Sequence, residues 1–182
     1  MSICVVTVSL PERDEFRAEC IRSITSQTRA PIAHVVMIDH DRVGPAEMLN
    51  RALPACVATG AEWIAQLADD DLAMPHHLET LISASTDADI VYSYANVEGR
   101  ANFNPNSPFD ANALRFVNYI PATTLIRTSL CVELGWRSDA AHGWEDWDFW
   151  LRALDRDARF VCVPEITWTY RFHGANLSTS GG

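Results

Sequence analysis

The sequence predicts an α/β fold, a single domain in which a mostly parallel central sheet is flanked by helices. Three observations carry this expectation. The runs ICVVTV at 3–8, HVVMI at 34–38 and DIVYSYA at 89–95 are rich in β-branched residues and have the length of strands buried on both faces. The segments between them repeat apolar residues at helical spacing. The stretch WIAQLADDDLAMPHHL, residues 63–78, reads as strand, acidic turn and helix. Strands and helices in alternation join through right-handed crossovers and place ligands at the carboxyl ends of the strands.

In chain order, strand 3–8 turns at Ser9-Leu10-Pro11. Residues 12–27 then form a helix whose apolar side is Phe16, Cys20, Ile21 and Ile24. A second buried strand, 34–38, runs into Asp39-His40-Asp41. Pro45 stands at the first position of a helix over 46–53, and Pro54 disturbs its end. The third strand ends at Asp69, and Pro75 opens a helix with Leu78, Leu81 and Ile82 on one face. After the fourth strand, 89–95, the Asn/Pro/Gly-rich segment 96–112 reads as a long surface loop, a feature that in compact domains tends to be functional. A short helix at 113–117 and a strand at 123–126 precede HGWEDWDFWLRALDR, 142–156, a helix with Glu145 and Asp146 in its first turn. Strands at 160–163 and 166–172 and a mobile tail at 177–182 close the chain.

With 182 residues the chain has room for one sizeable core, and no Pro/Gly/Ser-rich stretch divides it. Its 14 basic and 24 acidic side chains leave a net charge of −10, which argues against nucleic acid or an anionic membrane as partner. An anionic phosphate ligand remains compatible with that charge if a divalent metal bridges the two. The five cysteines are scattered and form no CxxC pair, as in reduced cytosolic proteins. No signal-like segment opens the chain, and no apolar run approaches the ~20 residues of a membrane span. A soluble, cytoplasmic protein is expected.

Three strand ends therefore meet, bearing Ser9 with Pro11, Asp39 with Asp41, and Asp69 to Asp71. Adjacent carboxylates repel one another, so holding three of them at the end of a buried strand calls for a cation, and hard oxygen ligands favour Mg²⁺ or Mn²⁺. A solvated acidic turn is the plainer reading. Asp39 can accept from a ribose hydroxyl or a base N–H, or it can cap a turn or helix. Glu145 and Asp146 can simply complement a helix dipole. Alternatively, Trp144, Trp147 and Trp150 packed round them desolvate a carboxylate and make it a better base. The absence of GxGxxG after the first strand argues against a glycine-cradled dinucleotide.

The order of these motifs resembles the family 2 glycosyltransferases, inverting enzymes of the GT-A, Rossmann-like fold that use nucleotide-sugar donors. ICVVTVSLPER is similar to the family's first strand and turn, and SITSQT with HVVMIDHD to its second unit. LNRAL, starting at Leu49, resembles its Arg-Asn-Gly segment, and WIAQLADDDLAMPHHLE its DxD strand and following helix. WEDWDFWLR resembles its ED helix, and YRFHGANLS its C-terminal Arg-x-His segment. Ala68 departs from the pattern, standing where many members have the first Asp, and His40 replaces a common second Asp.

That resemblance implies a metal-dependent transfer of sugar from a UDP-, GDP- or dTDP-sugar to a glycan, lipid-linked or protein acceptor. Residues 1–95 would be the nucleotide-sugar-binding half and 96–176 the acceptor and catalytic half. Ser9, Pro11, Asp39, Asp41, Asn50 and Asp69 would face the nucleotide. Asp70, Asp71 and His173 would hold Mn²⁺ or Mg²⁺. Asp146 would be the base with Glu145 in support, and Trp144, Trp147 and Arg171 would lie near donor and acceptor. A non-catalytic nucleotide-sugar- or glycan-binding relative is the alternative. A nucleotidyltransferase fits less well, because SLPERDE lacks the glycines that cradle a triphosphate.

Overall fold

The structure is a computed structural model that describes residues 1–101, 104–139, 143–173 and 176. The tail at 177–182, the His142 start of the tryptophan-rich segment and part of the long loop lie outside the described residues. Seven strands form one sheet: β1 (Ile3–Ser9), β2 (Ala33–Ile38), β3 (Trp63–Gln66), β4 (Leu72–Ala73), β5 (Ile90–Glu98), β6 (Thr124–Arg127) and β7 (Phe160–Arg171). Around them lie α1 (Asp14–Thr25), α2 (Pro45–Ala58), α3 (His77–Ser83), α4 (Ala111–Leu114), α5 (Thr128–Leu134) and α6 (Glu145–Leu154). The spatial order is β2-β1-β3-β6-β5-β7-β4. Five of the seven strands run one way, while β6 and β4 run against their neighbours. The mostly parallel α/β sheet expected from the sequence is the sheet observed.

Strand period explains the continuous apolar runs. Ile3, Val5, Trp63, Ala65, Val91 and Leu125 face one side, where α1 lays down Cys20 and Ile24 and α3 lays down Leu78, Leu81 and Ile82. Cys4, Val6, Ile64, Ile90, Tyr92 and Ile126 face the other side, against Leu49, Ala52 and Cys56 of α2, Cys131 of α5 and Phe149, Trp150 and Ala153 of α6. Each such large side chain contributes roughly 1.5–3 kcal/mol by leaving water.

Several elements differ from expectation. β2 is half-buried throughout, because it is the sheet edge and has a neighbour on one side only. β3 stops at Gln66, and the chain then loops through Leu67–Asp71 before the two-residue β4 pairs with β7. α2 runs past Pro54 to Ala58, and Pro54 itself is exposed on the helix surface. α5 was not foreseen. The two expected C-terminal strands are one, β7, whose register jumps from Ser93↔Val163 to Tyr94↔Ile166, leaving Pro164 and Glu165 in a bulge where a missing N–H is tolerated. On α6 the buried stripe is Phe149, Trp150 and Ala153. No helix of the described residues is long and apolar enough to cross a membrane.

β1 connects through α1 to β2 on one side, and β2 returns through α2 to β3 on the other side of β1. The direction of winding thus reverses between β1 and β3, and a crevice opens at their carboxyl ends. β6 runs opposite, so the residues that precede it, 118–123, reach the same edge, as do those that end β7.

Candidate functional site

The carboxylates at this edge are buried: Asp69, Asp70 and Asp71 are 2%, 7% and 4% exposed, which excludes a solvated acidic turn. Ser9 at the end of β1 donates from Oγ to Asp69 Oδ2 at 2.7 Å, tying the end of β1 to the acidic stretch that follows β3. Leu10 and Pro11 form the turn that follows, with the Arg13 N–H donating to the Leu10 carbonyl at 3.1 Å. This turn aims Arg13 into the acids: its Nη1 lies 2.9 Å from Asp69 Oδ1 and 3.1 Å from Asp70 Oδ2. Burial opposes the charge on Arg13, and the two carboxylates outweigh it.

A second cation enters from β7. Arg171 Nε donates to the Asp70 carbonyl and Nη1 to Glu19 of α1, its guanidinium lies 4.8 Å from the Phe16 ring centre, and its Nη2 is buried with no hydrogen-bond partner among the described residues. Two residues on, the His173 ring stacks on Phe16 at 4.7 Å and sets Nε2 3.0 Å from Asp70 Oδ2. Phe16, expected in the core, instead braces this histidine. Asn176 accepts from the His173 N–H at 2.9 Å and donates to the Arg171 carbonyl at 2.8 Å. Asp71 receives the Arg171 N–H at 3.3 Å and the Thr123 hydroxyl at 3.4 Å. Burial, with the charge of Asp70 added, pushes its carboxyl well above the usual range, and those two donors only partly offset the effect.

A divalent cation at this edge would find at most two side-chain ligands close together, Asp70 and His173, which are hydrogen-bonded to each other. Two ligand atoms at right angles, each about 2.1 Å from one ion, lie about 3.0 Å apart, the separation found between Asp70 Oδ2 and His173 Nε2. Among the described residues no group of three or more His, Cys, Asp or Glu side chains is placed to hold a metal ion by itself. Phosphate oxygens and water would complete such a site, as is usual for Mg²⁺.

At the end of β2, both Asp39 oxygens are engaged, by the N–H groups of Val43 at 2.9 Å and Gly44 at 2.8 Å. They hold the left-handed Arg42 and Gly44, φ 54° and 92°, that turn the chain into α2. Asp39→Ala is therefore expected to destabilise the ligand-free protein by roughly 1–3 kcal/mol, because two amides lose a charged acceptor; urea unfolding without ligand measures it. Asp41 is exposed on the turn. Asn50, expected at the nucleotide, lies in mid-α2 and clasps the Trp136 backbone, donating to its carbonyl at 2.6 Å and accepting its N–H at 2.9 Å. A nucleotide contact would require breaking this pair.

Asp146 stands in the first turn of α6. Its Oδ1 accepts the Trp147 N–H at 2.7 Å and Asn118 Nδ2 at 3.1 Å. Protein packed round this half-buried residue, with Glu145 adding like charge, pushes its carboxyl up to about 7. Trp150 takes no part; it is wholly buried among Phe149 and Phe160. Trp147 donates from Nε1 to the Leu114 carbonyl at 2.7 Å, and Trp144, 41% exposed, sits 5.5 Å from it. The acids and Asp146 share one edge of the sheet: Asn118 holds Asp146, and Thr123, on the same short stretch before β6, holds Asp71. A wide recess of about 610 Å³ lined by His76, Glu79, Thr80 and Glu165 includes none of these residues.

Arg13, Asn118, Thr123 and Asn176 were not foreseen as site residues. Arg13 alone left a trace, a cation beside the first strand's turn.

No family model matches the chain. In sequence it is 28% identical over 99% of its length to an uncharacterized glycosyltransferase, YwdF of Bacillus subtilis (strain 168), 77% of which is covered. In structure it matches S. aureus TarS (residues 1–349) in complex with UDP-GlcNAc, at a TM-score of 0.77 and 15% identity, over 98% of this chain and 61% of that one. It also matches the mannosyltransferase PcManGT from Pyrobaculum calidifontis in complex with GDP-Man and Mn²⁺, at a TM-score of 0.67 and 15% identity, over 96% and 58%. The chain thus spans about three-fifths of the length of these solved structures. Similarity of sequence along the whole chain and similarity of fold converge: the chain resembles a glycosyltransferase in sequence and has the GT-A-type fold of these solved structures.

Proposed function

We propose that the chain transfers a sugar from a nucleoside-diphosphate sugar to an acceptor hydroxyl with inversion, using Asp146 as base and a divalent cation held by Asp70 and His173. The observation that carries this reading is a carboxyl pushed up to about 7 at the same sheet edge as a buried acidic cluster. A base with that affinity for protons is half ionised near neutrality and can still take a proton, the balance general-base catalysis favours. TarS with UDP-GlcNAc and PcManGT with GDP-Man and Mn²⁺ support the donor class and the cation.

Asp146 accepts the acceptor's O–H proton as that oxygen bonds to the anomeric carbon. The bond to the diphosphate breaks on the opposite face, and its electron pair goes to the β-phosphate oxygen, so the anomeric centre inverts. When bound, Mn²⁺ or Mg²⁺ would neutralise charge on the departing diphosphate. Arg171, with a buried Nη2 that has no partner among the described residues, can donate to the same phosphate. Ser9 orients Asp69 toward the ribose, and exposed Trp144 offers a face for a sugar ring. All five cysteines are unbridged, which supports a reducing, cytoplasmic setting.

A thermal-shift screen of UDP-GlcNAc and GDP-mannose with and without Mn²⁺, followed by assay of nucleoside diphosphate release, tests the reading. A donor that binds the folded state raises stability with its occupancy. No shift and no release with any nucleotide sugar would refute it.

Arg13 adds a prediction, because its guanidinium lies on the Asp70 oxygen that the cation needs. Arg13→Gln removes that competitor and is expected to tighten Mn²⁺ binding by about threefold to tenfold. Calorimetric titration of the ligand-free protein measures it, and weaker binding would show that Arg13 assists the cation.

A further inference from the structure

Asn118 lies just before β6, on the stretch that returns the chain to the site edge. One end of its amide is engaged: Nδ2 donates to Asp146 Oδ1 at 3.1 Å. The other end, Oδ1, is buried and has no hydrogen-bond partner among the described residues. Turning the amide over would not cure this, since it would set a carbonyl oxygen against a carboxylate oxygen. Holding Asp146 therefore leaves a bare acceptor in the group that touches the base. Buried acceptors are rarely left bare, and when they are, an absent ligand is among the first explanations.

Building on the transfer reading above, we propose that Asn118 is a positioning residue for Asp146 and that its carbonyl oxygen receives a second hydroxyl of the acceptor. The preferred acceptor is then a polyol with hydroxyls on adjacent carbons. The attacking hydroxyl has one proton, and that proton goes to Asp146. The O–H that satisfies Asn118 must come from elsewhere on the acceptor. A sugar supplies it from the neighbouring carbon; a simple alcohol has none to give. Water, with two protons, can meet both residues and is the smallest acceptor of this kind.

Two measurements on the full chain test this. The first needs no turnover: the Asp146 carboxyl is titrated by carbon NMR in protein labelled at aspartate, with Asp146→Asn to assign the signal. Its midpoint is expected near 7. In Asn118→Ala it should rise, because the lost N–H favoured the charged form, while Glu145, the other charged group acting on Asp146, is unchanged. In Asn118→Asp it should rise further, since a carboxylate replaces the donor.

The second follows products from UDP-GlcNAc or GDP-mannose, with ethylene glycol and methanol in competition. Wild type should favour ethylene glycol per hydroxyl group. Asn118→Ala should lose that preference and about tenfold or more of its rate, a typical cost of removing a residue that orients a reacting one. Asn118→Asp should retain the preference, because it keeps the receiving oxygen. A folded Asn118→Ala protein with an unmoved midpoint overturns the positioning role, and one with an unmoved preference overturns the hydroxyl contact. If wild type turns over no donor, the transfer reading fails and the hydroxyl contact with it, while the NMR midpoint still decides whether Asn118 positions Asp146.

Discussion

Replacing Asp146 with Asn is expected to lower turnover by at least about a hundredfold and to leave nucleotide and metal affinity nearly unchanged. The first expectation follows from the scale of general-base catalysis, about 10²–10⁴-fold. The second follows from placement: Asp146 bonds to Trp147 and Asn118 and to none of the acidic cluster. Asn keeps an oxygen for those donors, so the first turn of α6 should survive. Stability gives an independent signature. The carboxyl rises from 3.8 to about 7 on folding, so between those values the native state holds a proton that the unfolded state has released. Stability from this residue therefore falls as pH rises through that window, and it is lowest above pH ~7. Asp146→Asn removes the effect. Its melting temperature relative to wild type should climb from pH ~4 to ~7 and then level off. A folded variant with near-normal transfer would end the case for Asp146 and turn attention to Glu145.

Within the wild type, the same group ties rate to pH. The ionised form is the base, so turnover should increase with pH through about 7. A profile governed by a group titrating near 4 would mean that the carboxyl is not desolvated in the working complex.

The parts of this architecture that were legible in the sequence are those where local pattern and tertiary environment coincide. β1 and β5 read as buried strands because both of their faces are covered by helices, which leaves no polar alternation to blur the run. The acidic turn was legible because three carboxylates after an apolar strand cost too much to bury without purpose. What was not legible depends on pairing between distant residues. β4 has two residues and exists only because β7 offers it an edge. The two C-terminal segments are one strand because β5 continues alongside the Pro164–Glu165 bulge. Asn50 read as a nucleotide contact because nothing in LNRAL reveals that Trp136, far along the chain, needs both ends of its amide. Arg13 had no role assigned from the sequence, and only the fold shows the Ser9–Pro11 turn aiming it at Asp69 and Asp70. Asn118 and Asn176 sit in segments without periodicity, where a sequence pattern has nothing to register.

Asp70→Ala is expected to abolish the dependence of nucleoside diphosphate binding on a divalent cation. At this edge Asp69, Asp70, Asp71 and Glu19 face Arg13 and Arg171, and no excess positive charge awaits a diphosphate. An anion entering such a site is repelled unless a dication bridges it, and Asp70 is the carboxylate that His173 accompanies at the spacing of two ligands. In wild type, UDP or GDP should bind at least about tenfold more tightly in Mn²⁺ than in EDTA, a coupling of about 1.4 kcal/mol. In Asp70→Ala the two affinities should coincide. Affinity in EDTA should rise or hold, since one negative charge has gone. The fold should persist: Arg13 keeps Asp69, and Arg171 bonds to the backbone carbonyl of residue 70, which alanine retains. His173→Ala should have the smaller effect of weakening Mn²⁺ more than Mg²⁺, because imidazole favours the later metal. Equal affinity of the wild type in EDTA and in Mn²⁺ would show that Arg13 and Arg171 carry the diphosphate by themselves, and the carboxylates would then serve only to hold those two arginines in place.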